Sequence, residues 1–140
     1  MIIMSVDLGL ARTGLAVCDK TELLSSPLCV IEERDLNILA DKIADKAQQC
    51  RAELIVVGLP KNMDGSEGES AQRAREFATA LSKKTGLECD LQDERGTTIT
   101  AHNYLNITDT RGKKRKSVID SVAATIILED YLAYRKNHRT

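Results

Sequence analysis

The stretch Ile2–Asp19, IIMSVDLGLARTGLAVCD, holds two apolar runs separated by a turn. Ile2 to Asp7 reads as a buried strand ending in Asp7-Leu8-Gly9. Thr13 to Asp19 reads as a second strand, with Gly9 and Gly14 in the tight connection. A link this short favours antiparallel neighbours. Pro27 to Ile31 reads as a third strand. The period then changes: Leu36, Leu39, Ile43, Ala44 and Ala47 recur on one face of a helix. Glu53 to Gly58, ELIVVG, is apolar on both faces, as a central parallel strand must be. After a loop from Leu59 to Glu69, the spacing predicts a second helix over Ser70 to Lys84. Its inward residues are Ala71, Ala74, Phe77, Ala78 and Leu81, and Gly86 stops it. Leu87 to Asp93 is the fifth strand. Thr97 to Leu105 reads as a short helix, Asn106 to Lys116 as a polar loop, and the last helix runs from Val118 to Arg135.

Three hairpin-linked strands followed by two strand-after-helix units predict an α/β fold. Its sheet is mixed and five-stranded, three antiparallel strands then two parallel, in the order 3-2-1-4-5, with helices on both faces. That pattern matches the ribonuclease H-like architecture. A chain of 140 residues makes one domain, 1–140. With 42% apolar residues it has an ordinary core, which excludes disorder and a disulfide scaffold. No apolar run nears the roughly 18 residues that cross a bilayer. The start, Met1-Ile2-Ile3-Met4, lacks the basic region and cleavage site of a signal peptide. A cytoplasmic protein with no membrane partner is expected.

Cys18, Cys29, Cys50 and Cys89 form no C-x-x-C pair, so reduced core cysteines are expected. His102 and His138 are the only imidazoles. Any bound metal must then be held by carboxylates, which points to magnesium or manganese rather than zinc.

Three acidic features stand out. Asp7 closes a buried strand, where a carboxylate is costly unless paired or bound to metal. An ordinary Asp-x-Gly turn is the commoner meaning of that triplet. A phosphate loop is excluded, because Leu15 stands where lysine is required and a strand follows where a helix is needed. Asp93-Glu94-Arg95 ends the fifth strand, on the side where ligands gather in open parallel sheets. Side chains alternate along a strand, so only one of Asp93 and Glu94 is expected to join Asp7. Asp120 follows Ser117 at capping-box spacing. It also shares a helical stripe with Ala123, Ala124, Ile127 and Tyr131, and the two readings weigh equally.

Basic residues supply the complement. Residues 1–110 hold 12 basic and 18 acidic side chains, whereas residues 111–140 hold 8 and 3. Arg111 to Lys116 has five basic residues in six and leads into the helix bearing Asp120. Such a run is usually a solvated loop. Beside a metal site it would draw in a nucleic-acid backbone through counterion release. Aromatic residues are only 3%, so backbone contacts outweigh base stacking. Lys61 and Asn62 in the loop after the fourth strand, Arg73 and Arg75 in the next helix, and Arg95 border the same end. Three acids from the first strand, the fifth strand and the last helix make a hard-cation site. Divalent ions there can activate water and stabilise the leaving oxygen of a phosphodiester.

These motifs resemble the YqgF/RuvX family of Holliday junction resolvase-like proteins, also described as pre-16S rRNA nucleases. The resemblance covers nearly the whole chain. It rests on DLGLARTGLAV (Asp7–Val17), VGLPKNMDGSEGESAQRAREFA (Val57–Ala78) and DSVAATIILEDYL (Asp120–Leu132). It implies a divalent-metal nuclease using Mg2+ or Mn2+, with Asp7, Glu94 and Asp120 as the catalytic and metal-binding acids, and so selects Glu94 over Asp93. The nucleic-acid-binding residues are expected to be Lys61, Asn62, Arg73, Arg95, Arg111, Lys113, Lys114, Arg115 and Lys116. The implied substrate is RNA, the 5′ end of precursor 16S rRNA, with branched DNA as the alternative. Ribosomal particles are possible partners, and a monomer or weak homodimer is expected. A non-catalytic ribosome-assembly factor is a second alternative, and a nucleotide phosphotransferase a more distant one. Gly96 stands where the family pattern usually has leucine. In the expected sheet order the fifth strand does not adjoin the first, so Glu94 must reach across the end of the fourth, where Gly58 would leave room.

Overall fold

The computed structural model describes residues 1–62, 64–94 and 112–137, and of residues 112–121 only the helical course. The chain forms β1 (Ile3–Asp7), β2 (Arg12–Cys18), β3 (Ser25–Glu32), α1 (Leu36–Cys50), β4 (Leu54–Leu59), α2 (Glu69–Thr85), β5 (Glu88–Asp93) and α3 (Gly112–Asn137). The sheet order is β3-β2-β1-β4-β5. β1–β2 and β2–β3 are antiparallel, while β1–β4 and β4–β5 are parallel. This is the expected ribonuclease H-like arrangement.

The strand alternation divides the core. Met4, Val6, Leu15, Ile55 and Val57 face α1 and α2, packing with Leu39, Ile43, Phe77 and Leu81. Ile3, Ala16, Leu54 and Val56 face α3, packing with Ala124, Ile127, Leu128 and Tyr131. β4 is buried along its whole length, because it has a strand on either side and helices on both faces. The β1–β2 turn is close enough that a Cβ at Gly9 would lie 2.0 Å from the Arg12 carbonyl oxygen. Only glycine fits there.

Local chemistry sets the helix ends. The Asp35 side chain caps α1 by accepting hydrogen bonds from the Asn37 and Ile38 amides at 2.9 and 3.1 Å. α2 stops at Gly86, whose φ of 72° suits glycine. α3 is held on the sheet by the small side chains of Ala123 and Ala124, both buried. There the buried Ser5 hydroxyl donates to the Ala124 carbonyl at 2.6 Å. Its far end is fastened by Tyr131 Oη donating to Asp90 Oδ2 at 2.8 Å and by Arg135 on Glu22 at 2.9 Å.

Four expectations are corrected. α3 begins at Gly112, not near Val118, so Lys113 to Lys116 are helical rather than part of a loop. Lysine and arginine are good helix formers, and a charge run carries no signal to stop. Ser117 therefore lies inside the helix, and the capping-box reading of Asp120 falls. Leu36, expected to face inward, is 38% exposed, because it opens the first turn of α1 beyond the sheet; Ala40 fills the core instead. The cysteines are free, but only Cys18 is buried and the other three are half-buried. The short helix expected over 97–105 and Gly96 lie outside the described residues. Among the described residues, no helix is long and apolar enough to cross a membrane.

Candidate active site

Asp7 is the last residue of β1 and shares the α3 face of the sheet with Ile3 and Ser5. β5 ends at Asp93, which pairs in register with Leu59. The ladder then continues for one bond, from the Glu94 amide to the Leu59 carbonyl at 3.1 Å. That bond keeps Glu94 in step with the strand, so its side chain falls on the α3 face, as Asp90 does. Asp93 falls on the opposite face.

β4 separates these two strands, and Gly58 is the residue between the acids. A Cβ added at Gly58 would lie 2.7 Å from Glu94 Oε2 and 2.8 Å from its Cδ. The carboxyl therefore occupies the space that any other side chain would fill. Crossing there, Glu94 is hydrogen-bonded to Asp7. Its pKa is pushed up to about 9, first by burial, then by the negative charge of Asp7 and the hydrogen bond to it, and least by Asp93. The contact therefore favours a proton shared between the two carboxyls.

Two carboxyls in contact at the mouth of a buried sheet are uncomfortable without a cation. Both are oxygen donors, and neither thiol nor imidazole is found beside them among the described residues, a set that fits a hard divalent ion. Among the described residues no group of three such side chains closes around one point. The third expected acid, Asp120, lies outside the described side chains. Its place on α3 is one turn before Ala124, whose carbonyl is fixed to Ser5, two residues below Asp7.

The basic residues are placed less uniformly. The loop after β4 is a small hairpin closed by a bridge between Lys61 and Glu67. Asn62 Nδ2 donates to Ser66 Oγ at 2.8 Å, and Asp64 accepts from the Ser66 amide and hydroxyl, so the Asn62 amide is committed within its own turn. Arg75 is engaged by Glu67 through two bonds of 2.7 and 2.8 Å. Arg73 is half-buried, with a buried Nε that has no hydrogen-bond partner among the described residues. Lys113, Lys114, Arg115 and Lys116 sit in the first turns of α3, where only the helical course is described, and Arg95 and Arg111 lie outside the described residues entirely. Sequence reasoning passed over one contributor, Ser5, and placed Ile127 only on the apolar stripe of the last helix. Ser5 was signalled by a hydroxyl in an otherwise apolar buried run.

A family model described as "RuvX: Holliday junction resolvase" matches residues 1–134. A protein of Halothermothrix orenii, named "Putative pre-16S rRNA nuclease", is 42% identical over 139 residues, 96% of each chain. Relatives of the same name from Agathobacter rectalis and Halalkalibacterium halodurans are 33% and 40% identical, covering 100% and 92% of this chain and 100% and 94% of theirs. Among solved structures, "T. thermophilus RuvC in complex with Holliday junction substrate" aligns over 100% of this chain and 98% of that one, with a TM-score of 0.62 and 13% identity. The fowlpox virus Holliday junction resolvase aligns over 96% and 99%, with a TM-score of 0.55 and 14% identity. At these identities the structural likeness speaks for the fold.

Proposed function

Since the chain belongs to the RuvX family, we propose that it is a divalent-cation-dependent nuclease that hydrolyses phosphodiester bonds in structured nucleic acid. Its favoured substrate is precursor 16S rRNA, trimmed at the 5′ end in the cytoplasm. Relatives at 33–42% identity over nearly their whole length carry a name that states that substrate. The observation that carries the reading is the contact of the Asp7 and Glu94 carboxyls across Gly58.

Asp7 and Glu94 would hold Mg2+ or Mn2+, with Asp120 as the third ligand. Such an ion supplies an activated water and stabilises the charge that develops on the leaving oxygen. The residues do the rest. Binding requires that Glu94 give up its proton, so cation uptake and the ionisation of the pair are linked. Lys113, Lys114, Arg115 and Lys116 at the start of α3, with Arg111 beside them in the sequence, grip backbone phosphates where the chain is most basic. Lys61 and Asn62 follow β4, Arg73 sits in α2 and Arg95 follows Glu94 in the sequence; these residues contact the flanking backbone.

The test is cleavage by the purified protein of precursor rRNA and of a four-way DNA junction, each with Mg2+ or Mn2+ and with chelator. Cation-dependent cutting of the RNA is the expected result. Cutting of the junction alone would make branched DNA the substrate, in keeping with the family's description. Binding that persists with chelator, with neither substrate cut, would leave a non-catalytic assembly factor. Sedimentation of the protein at the assay concentration separates a monomer from a weak homodimer.

A further inference from the structure

Gly58 contributes no atom to the acidic pair, yet two side chains converge on the space where its Cβ would be. Glu94 Oε2 would stand 2.7 Å away and Ile127 Cδ1 2.6 Å away. Real Cβ contacts are essentially never so short, so a methyl group there must displace one neighbour or the other. The surroundings decide which. Ile127 is 1% exposed and wedged between α3 and the sheet among Leu54, Val56 and Leu128, with nowhere to go. Glu94 lies past the end of β5, half-buried, and its carboxyl is restrained by the contact with Asp7. Of the two side chains it is the less tightly enclosed.

We propose that Gly58 is a positioning residue, whose absent side chain sets the reach of Glu94 to Asp7 and thereby permits both carboxyls to engage one divalent cation. The proposal rests on the cation-site reading above and extends it to a residue that touches neither cation nor substrate. It also gives β4 a role beyond its core. The strand that separates the two acids carries, at their level, a residue small enough for one to cross. Ile127 fixes the depth of that crossing from the α3 side.

The experiment compares Mn2+ binding by calorimetry in the parent protein, Gly58→Ala and Gly58→Ala/Ile127→Val, alongside thermal melting. The expected result for Gly58→Ala is a folded protein whose Mn2+ affinity falls by about 10–100-fold, the range for losing a ligand's support. In the double variant the shortened Ile127 relieves the packing conflict but not the one with Glu94. Melting should recover toward the parent, and Mn2+ affinity should stay low. Should Gly58→Ala not fold, the double variant decides by the same reading.

Parent-like Mn2+ binding in Gly58→Ala would overturn the proposal, as would full recovery of binding with Ile127→Val alone, which would make Gly58 a packing residue only. A parent protein that binds Mn2+ but cuts no nucleic acid removes the nuclease reading and leaves Gly58 to be judged by binding. A parent that binds no Mn2+ removes both.

Discussion

Asp7 and Glu94 lie on strands that never pair, yet their carboxyls are hydrogen-bonded to each other over the backbone of Gly58. The sheet brings them to one end, because β1 and β5 both run parallel to β4: Asp7 comes beside Gly58, and Glu94, two residues beyond Gln92 that pairs with Gly58, reaches back over it. Each acid is there at the expense of the other, and this mutual repulsion is what a cation would relieve.

Replacing Asp7 by asparagine keeps the shape and removes one charge. Cleavage should fall to background, while metal-free melting at pH 8 stays equal or rises, since the negative charge of Asp7 no longer opposes the ionisation of Glu94. Measured together, the two readouts separate loss of chemistry from loss of fold. Cleavage at the parent rate would remove the mechanism.

The pair also makes stability depend on pH. Glu94 holds its proton up to about 9 in the folded protein against 4.5 ordinarily, so the fold binds that proton more tightly than the unfolded chain does. Its contribution is fully present below pH 4.5 and is lost as pH rises toward 9. Metal-free melting temperature should thus decline across that window, with a slope of at most about 1.4 kcal/mol per pH unit from this group. Glu94→Gln should flatten the decline, and saturating Mg2+ should offset it at the alkaline end. Parallel curves for parent and Glu94→Gln would show that the Glu94 carboxyl does not keep its proton against Asp7.

Ser5 ties α3 to β1 through a buried bond of 2.6 Å to the Ala124 carbonyl. Ser5→Ala should cost about 1 kcal/mol in chemical denaturation, the usual net value of one such bond. Because the bond lies one turn from Asp120, the same variant should lower cleavage more than Tyr131→Phe. That change loosens α3 only at its far end, by removing the bond to Asp90.

Neutralising Lys113, Lys114, Arg115 and Lys116 together should weaken nucleic-acid binding evenly across sequences. It should also reduce the slope of log affinity against log salt by about 0.7–0.9 for each phosphate that these side chains neutralise in the parent. An unchanged slope would show that the start of α3 is a solvated face.

The order and type of the elements were legible because they rest on local periodicity. ELIVVG could only be a central strand, and the stripe of Ala71, Ala74, Phe77, Ala78 and Leu81 could only be an inward helix face. The start of α3 was not legible. Lys113 to Lys116 are as compatible with a loop as with a helix, and no cap or glycine stop marks the boundary beyond Gly112. The exposure of Leu36 was hidden for a similar reason: periodicity gives a face, but not where the sheet beneath it ends.

The acidic pair shows where the division falls. From the residues alone, one could say that a carboxylate closes β1, that Asp93 and Glu94 point opposite ways, and that one of them belongs with Asp7. The last two of these follow from the two-residue period of a strand. Which one it is depends on whether the β5 ladder runs on past Asp93, and a single bond to the Leu59 carbonyl settles that. Whether the chosen carboxyl can cross an intervening strand depends on the void above Gly58 and the packing of Ile127 around it. Such contacts join residues far apart in the chain, and no local pattern encodes them.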